Sequence, residues 1–176
     1  MADRQVILYI AMSLDGYIAA TNDDISWLSV VDNPPEDYGY SDFIKTVDTV
    51  LMGRKTYSKV LSLTGGFPHK NKKCYVLSKS KTGTDENVEF YNGDIGSLIQ
   101  KIRTKEGSTI FCDDGAEIVF ELMKQNLIDK YIISIIPIFV GEGIALFKQG
   151  RSMQHLKLIK SLTFPTGLVQ LWYEKK

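Results

Sequence analysis

The 176-residue sequence predicts an α/β fold: a single domain over residues 1–176, with a mainly parallel central sheet flanked by helices and an antiparallel C-terminal hairpin. Three observations predict it. Short, nearly continuous apolar runs recur along the chain, the mark of strands covered on both faces. Between them lie segments whose apolar residues repeat at helical spacing, and strands alternating with helices build a parallel sheet. At the end, two alternating runs surround Pro165-Thr166-Gly167 and read as a hairpin.

Taken in order, Val6-Ile7-Leu8-Tyr9-Ile10-Ala11 is the first strand, and the loop after it turns at Asp15-Gly16. A helix is expected from Tyr40 to Val47. The second strand, Thr49 to Met52, ends at Gly53, and a helix from Lys55 to Leu61 breaks at Thr64-Gly65-Gly66-Phe67-Pro68. Cys74 to Leu77 reads as a strand and Val88-Glu89-Phe90 as a brief one. Ile95, Leu98, Ile99 and Ile102 recur at helical spacing, Thr109 to Cys112 is a strand, and Ile118, Val119, Leu122 and Met123 stripe a helix ending near Asn126. Tyr131 to Ile138 is a long β-branched strand, and Leu156–Leu162 with Leu168–Tyr173 form the hairpin.

Hydrophobic residues make up 44% and charged residues 24%, which excludes disordered, collagenous and disulfide-framework classes. At this length a domain buries roughly 70% of the surface of its unfolded chain, enough for a core without staples. Twenty-one Lys and Arg balance twenty-one Asp and Glu, so the footprint of a general nucleic-acid binder is missing. The neutrality is a cancellation. Residues 1–53 carry nine acids and two bases, residues 54–81 eight bases and no acid, and residues 82–176 twelve acids and eleven bases.

Cys74 and Cys112 sit in strand-like runs and read as buried free thiols of a reducing cytoplasm. His69 and His155 show no metal-ligand spacing, so no metal is expected. Val6 to Met12 is too short for a signal segment and no stretch reaches a membrane span, which predicts a soluble, cytoplasmic protein without a membrane partner.

In sheets of this class, ligands bind beyond the carboxyl ends of the strands. The strand ending at Met52 runs into Gly53-Arg54-Lys55-Thr56, where glycine admits close approach and the first helical N–H groups, with Arg, Lys and Thr, make an anion site. The strand ending at Leu77 runs into Ser78-Lys79-Ser80-Lys81. Two such ends in one all-basic tract suit a ligand with several phosphates. The strand ending at Cys112 runs into Asp113-Asp114-Gly115-Ala116-Glu117, where Asp114 is expected to cap the following helix with Glu117 three residues on. Neither a Gly-x-Gly-x-x-Gly turn after a strand nor a P-loop occurs.

These ordered motifs resemble the dihydrofolate reductase superfamily along nearly the whole chain. Ile10 to Ala19 looks like its first strand and loop, Ile25-Ser26-Trp27-Leu28 like its active-site loop, and Leu51-Met52-Gly53-Arg54-Lys55-Thr56-Tyr57 like its nucleotide signature, followed by Val76-Leu77-Ser78-Lys79. Ser13-Leu14-Asp15-Gly16, residues 113–116 and Pro137 to Phe147 look closer to the reductase domain of bacterial riboflavin biosynthesis, which reduces 5-amino-6-(5-phosphoribosylamino)uracil. The His-x-Glu and Pro-Cys-x-x-Cys pair of a zinc deaminase is missing, so a stand-alone reductase-like domain is expected.

The resemblance implies NADPH as hydride donor and a small-molecule substrate. Arg54 and Lys79 would hold the 2′-phosphate, with Gly53 and Ser78 beside them, and Lys55 and Thr56 would take the pyrophosphate. Met12 and Ile18 would line the nicotinamide, Gly115 and Ala116 would approach the cofactor, and Trp27 would close over it or over substrate. A homodimer is implied as well, with Tyr131 to Phe139 as the contact edge.

Two departures stand out. Adjacent glycines of the superfamily are replaced by Asp114-Gly115, and a carboxylate there repels a pyrophosphate unless it turns away, so NADPH binding is expected to be weakened but present. Hydride transfer to C=N or C=O also needs a proton. Among Glu36, Asp37 and Asp42, the preferred catalytic acid is Asp42, with Asp37 next. Three functions follow: a riboflavin-type reductase of a heterocycle, a dihydrofolate reductase, or a nucleotide-binding protein without catalysis.

Overall fold

The computed structural model describes residues 4–63 and 65–176; Thr64, within the expected helix break, lies outside them. The elements are β1 (Val6–Ser13), β2 (Tyr17–Ala20), two 3-10 turns (Thr21–Asp23 and Ser26–Val31), α1 (Tyr40–Lys45), β3 (Val47–Gly53), α2 (Arg54–Leu63), β4 (Lys73–Leu77), β5 (Gly83–Thr84), β6 (Glu89–Tyr91) and α3 (Ile95–Arg103). They continue with β7 (Thr109–Cys112), α4 (Ala116–Lys124), β8 (Lys130–Ile136), β9 (Gly143–Ala145), β10 (Leu156–Thr163) and β11 (Val169–Lys175).

Among the described residues, nine strands form one sheet in the order β10-β11-β8-β1-β7-β3-β4-β6-β5, and β2 pairs with β9 in a separate ribbon. The six strands from β8 to β6 run parallel, while β10, β11 and β5 are antiparallel to their neighbours. The carboxyl ends of β1, β7, β3 and β4 therefore meet at one rim.

The two-sided burial read from the apolar runs is visible along β1. Val6 and Leu8 enter one core cluster with Leu98, Ile99, Ile102, Val119 and Leu122 of α3 and α4. Ile7 enters the other, with Phe43 of α1, Tyr57 of α2 and Phe111. Strand side chains alternate between faces, so a strand buried on both has no polar position to show. Helix α3 starts where Asp94 accepts a hydrogen bond from Ser97 N at 2.8 Å, a side-chain cap.

Two expectations need correction. The strand Tyr131–Ile138 ends two residues early and lies between β1 and β11, so it is no contact edge; the edge is β10, because the hairpin folds back over β8. Helix α4 begins from Gly115 without a side-chain cap, so Asp114 does not cap its own helix. The β2–β9 ribbon and β5 were not foreseen, being too short to carry a period.

Candidate active site

Because β7 inserts between β1 and β3, the segment Asp113-Asp114-Gly115 stands beside the start of α2, and Asp113 N donates to Leu51 O at 2.9 Å. Asp114 turns toward α2. Its carboxylate accepts a hydrogen bond from the Thr56 hydroxyl, and a methyl group placed on Gly53 would meet it at 2.8 Å, so the glycine is needed for this approach. Burial pushes the Asp114 carboxyl above its usual range, against the lowering effect of Thr56 and of the Gly115 and Gly53 N–H groups.

The basic tract divides by use. Lys72 donates to Ile44 O and Val47 O, holding the turn between α1 and β3; Lys73 pairs with Glu89 at 2.8 Å; Lys59 donates to Asp23 O; and Lys81 lies over the Phe90 ring. Arg54 and Lys55 at the start of α2, and Lys79 beyond β4, are exposed and make no ion pair with any described residue. They lie at the ends of adjacent strands, since Gly53 is in register with Leu77. Ser78 spends its hydroxyl on its own turn, accepting from Lys81 N at 3.0 Å.

Met12 and Ile18 pack half-buried against the α3/α4 core, and the Ile18 Cδ1 lies 3.4 Å from where a Gly115 Cβ would stand. Ala116 is buried at the start of α4 and packs the helix. Asp15 does more than turn the chain. It accepts from Ser13 Oγ at 2.5 Å, Val140 N at 3.1 Å and Gly141 N at 2.8 Å, tying the first loop to the loop after β8, and the Ser13 hydroxyl first of all lowers its pKa. Trp27, expected to close over cofactor or substrate, is 9% exposed and packed with Val31, Ile136 and Leu168, with Nε1 donating to Asp24 O.

Neither preferred acid stands over the strand ends. Asp42 is 87% exposed and pairs with Lys45 on the outer side of α1. Asp37 accepts from Gly39 N and Ser41 N, and these bonds, those to Ser41 foremost, hold its carboxyl below the usual range. It organises the turn that opens α1.

The acid at the rim is Asp113, one residue past β7 on the face shared with Phe111. His69, only 4% exposed, places Nε2 at 2.8 Å from Asp113 Oδ2, while Asp113 keeps 32% exposure. The imidazole is fixed edge-on to Phe67 and Phe111. Tyr40 completes the wall, its hydroxyl pushed up to about 12 by burial and then by the Asp113 charge. Burial and Asp113 also push the Cys74 thiol up to about 12, which keeps it inert. Nothing local in the sequence marks His69. The available signal was Asp113 itself, a carboxylate in phase with the buried Phe111; His69 is 44 positions away and carries none.

A further cavity of about 640 Å³ opens between α4, β8 and the segment before β10, lined by Ile135, Phe147, Met153 and Tyr173. It shares Met12 with the rim but none of the Arg54, Lys55 or Lys79 cations. Among the described residues no group of His, Cys, Asp and Glu could hold a metal ion, and no helix is long and apolar enough to cross a membrane.

The RibD C-terminal domain family matches residues 4–170. The uncharacterised Bacillus subtilis protein YwjB is 41% identical over 172 residues, covering 97% of this chain and 98% of its own. A structure named for riboflavin biosynthesis, from Shewanella sp. PV-4, superposes with a TM-score of 0.90 at 32% identity, covering 98% of this chain and 99% of its own. Dihydrofolate reductase from Enterococcus faecalis, solved with NADP(H), shares the fold at a TM-score of 0.67 and 14% identity, over 98% of this chain and 96% of its own.

Proposed function

The chain belongs to the RibD C-terminal domain family, and from that premise we propose that it is an NADPH-dependent reductase of a nitrogen heterocycle of the 5-amino-6-(5-phosphoribosylamino)uracil type. The observation that carries the reading is the set of three cations, Arg54, Lys55 and Lys79, which have no ion-pair partner among the described residues and stand at two adjacent strand ends beside the start of α2. A dinucleotide with a 2′-phosphate and a pyrophosphate is the ligand that uses all three, and the same fold in Enterococcus faecalis dihydrofolate reductase holds NADP(H).

In this reading Arg54 and Lys79 hold the 2′-phosphate, which favours NADPH over NADH. Lys55 and the first N–H groups of α2 face the pyrophosphate. Met12, Ile18 and Gly115 form the apolar wall that excludes water from the nicotinamide end. The bound cofactor supplies hydride. Asp113 takes the part expected of Asp42 or Asp37: His69 fixes one carboxylate oxygen, leaving the other to exchange a proton with a ring nitrogen or to hold a ring N–H.

Titration of the protein into NADPH, followed by cofactor fluorescence, tests the binding half. NADPH oxidation with the ribosylaminouracil phosphate and with dihydrofolate then tests the chemistry. No fluorescence change sinks the reading. Binding without oxidation of either substrate favours a nucleotide-binding protein without catalysis, for which Asp114 beside the start of α2 is the specific observation.

The working form in this reading is a soluble, cytoplasmic homodimer joined through the β10 edge, where Leu158 is 51% and Ile159 44% exposed. Size-exclusion chromatography should give a dimer that Leu158→Lys converts to a monomer. A wild-type monomer removes this part.

A further inference from the structure

We propose that Asp114 is a built-in anion sharing the α2 N-terminus with the cofactor's pyrophosphate, so that dinucleotide binding is coupled to uptake of one proton. This rests on the dinucleotide reading above.

Three features carry it. Asp114 is not a surface acid free to swing aside. It is held by the Thr56 hydroxyl, with its carboxylate against Gly53, at the point where the chain enters α2. The unpaired N–H groups of a helix start are the natural seat of a phosphate, and here a carboxylate already lies against that seat. A second anion brought next to this partly buried carboxylate is repelled more than it would be in open water, because less water remains to screen the two. Protonation removes the repulsion and also turns the carboxyl into a donor that a phosphate oxygen can accept from.

The surroundings make that protonation accessible. Besides Thr56, the groups facing Asp114 are its neighbour Asp113, whose charge opposes ionisation, and Cys112, whose thiol burial pushes far up and keeps neutral. Arg54 and Lys55 at the α2 start are exposed, and their charges face solvent. Ile18, close to Gly115, is apolar. Burial accordingly raises the Asp114 carboxyl from its ordinary value, which lowers the cost of taking up the proton.

The test compares the full-length protein with Asp114→Asn and Asp114→Gly, each first checked for native circular dichroism. NADPH fluorescence titrations run over about pH 5 to 9, and calorimetric titrations use two buffers of different ionisation enthalpy. The 2′-phosphate of NADPH itself titrates, so the quantity read is the difference between wild type and variants. Wild-type Kd should rise with pH by up to about tenfold per unit relative to Asp114→Asn, with about one extra proton taken up on binding. Both variants should bind at least tenfold more tightly than wild type at the alkaline end. Parallel pH profiles with equal proton uptake overturn the proposal, as does weaker binding by both variants. If neither the wild type nor either variant binds NADPH, the dinucleotide reading itself has failed. Binding by the variants alone supports the proposal in its strongest form.

Discussion

Replacing His69 by alanine should be among the most damaging single changes near the rim, and the structure sets its size. The imidazole is 4% exposed, lies 2.8 Å from an Asp113 oxygen and packs edge-on against Phe67 at 5.7 Å and Phe111 at 6.4 Å between centroids. A hydrogen bond to a charged group contributes about 1.5–3 kcal/mol, here toward the lower end because Asp113 is partly solvated. Two edge-on ring contacts add about 0.5–1.5 kcal/mol each. The sum is about 2.5–4.5 kcal/mol, a fall in Tm of about 5–18 °C for a domain of this size. His69→Gln keeps a donor for Asp113 and loses only the ring contacts, so it should cost about half as much. Urea unfolding followed by tryptophan fluorescence gives both values. An alanine variant within about 1 kcal/mol of wild type, or a glutamine variant as unstable as alanine, would refute the view that this pair is tightly coupled.

Asp113→Asn should lower kcat by about 10²–10⁴-fold with NADPH affinity little changed, whereas Asp42→Asn on the outer side of α1 should leave both constants intact; steady-state kinetics of the two variants decide which carboxylate works. Arg54→Ala and Lys79→Ala should each reduce the preference for NADPH over NADH by about tenfold, read from parallel titrations with the two cofactors. Asp37 has a lowered folded pKa, so its contribution to stability is present above its unfolded value and is lost as pH falls through the folded one. Denaturation midpoints of Asp37→Ala should therefore lie below wild type at neutral pH and converge with it in acid; a constant gap across that range would contradict the sign.

The strands and helices were legible because their signals are local. Ile95, Leu98, Ile99 and Ile102 are all buried on one face of α3, as their spacing requires, and the runs at Val6, Val50 and Ile110 are strands covered on both sides. The strand-to-helix junction at Gly53-Arg54-Lys55-Thr56 was equally legible, because it is encoded in the same few contiguous residues.

Where the carboxylates stand was not legible, and the reason is topological. Asp37 and Asp42 lie in the stretch of chain where the superfamily pattern places a carboxylate, yet a short α1 opened by the Asp37 turn presents both to solvent. Asp114 has the local form of a helix cap, and its local helix takes no side-chain cap, because β7 lies next to β3 and brings it against the start of α2 instead.

By itself, the sequence determined the alternation of elements, the two-sided core and the cationic strand ends, all of which depend on residues within one or two turns of each other. The tertiary structure decided which carboxylate meets which partner: Asp113 with His69 and Asp114 with Thr56, across 44 and 58 positions. Pairings of that span are set by strand order in the sheet, since hydrogen bonds reach only about 3 Å and no local pattern records which strands lie side by side.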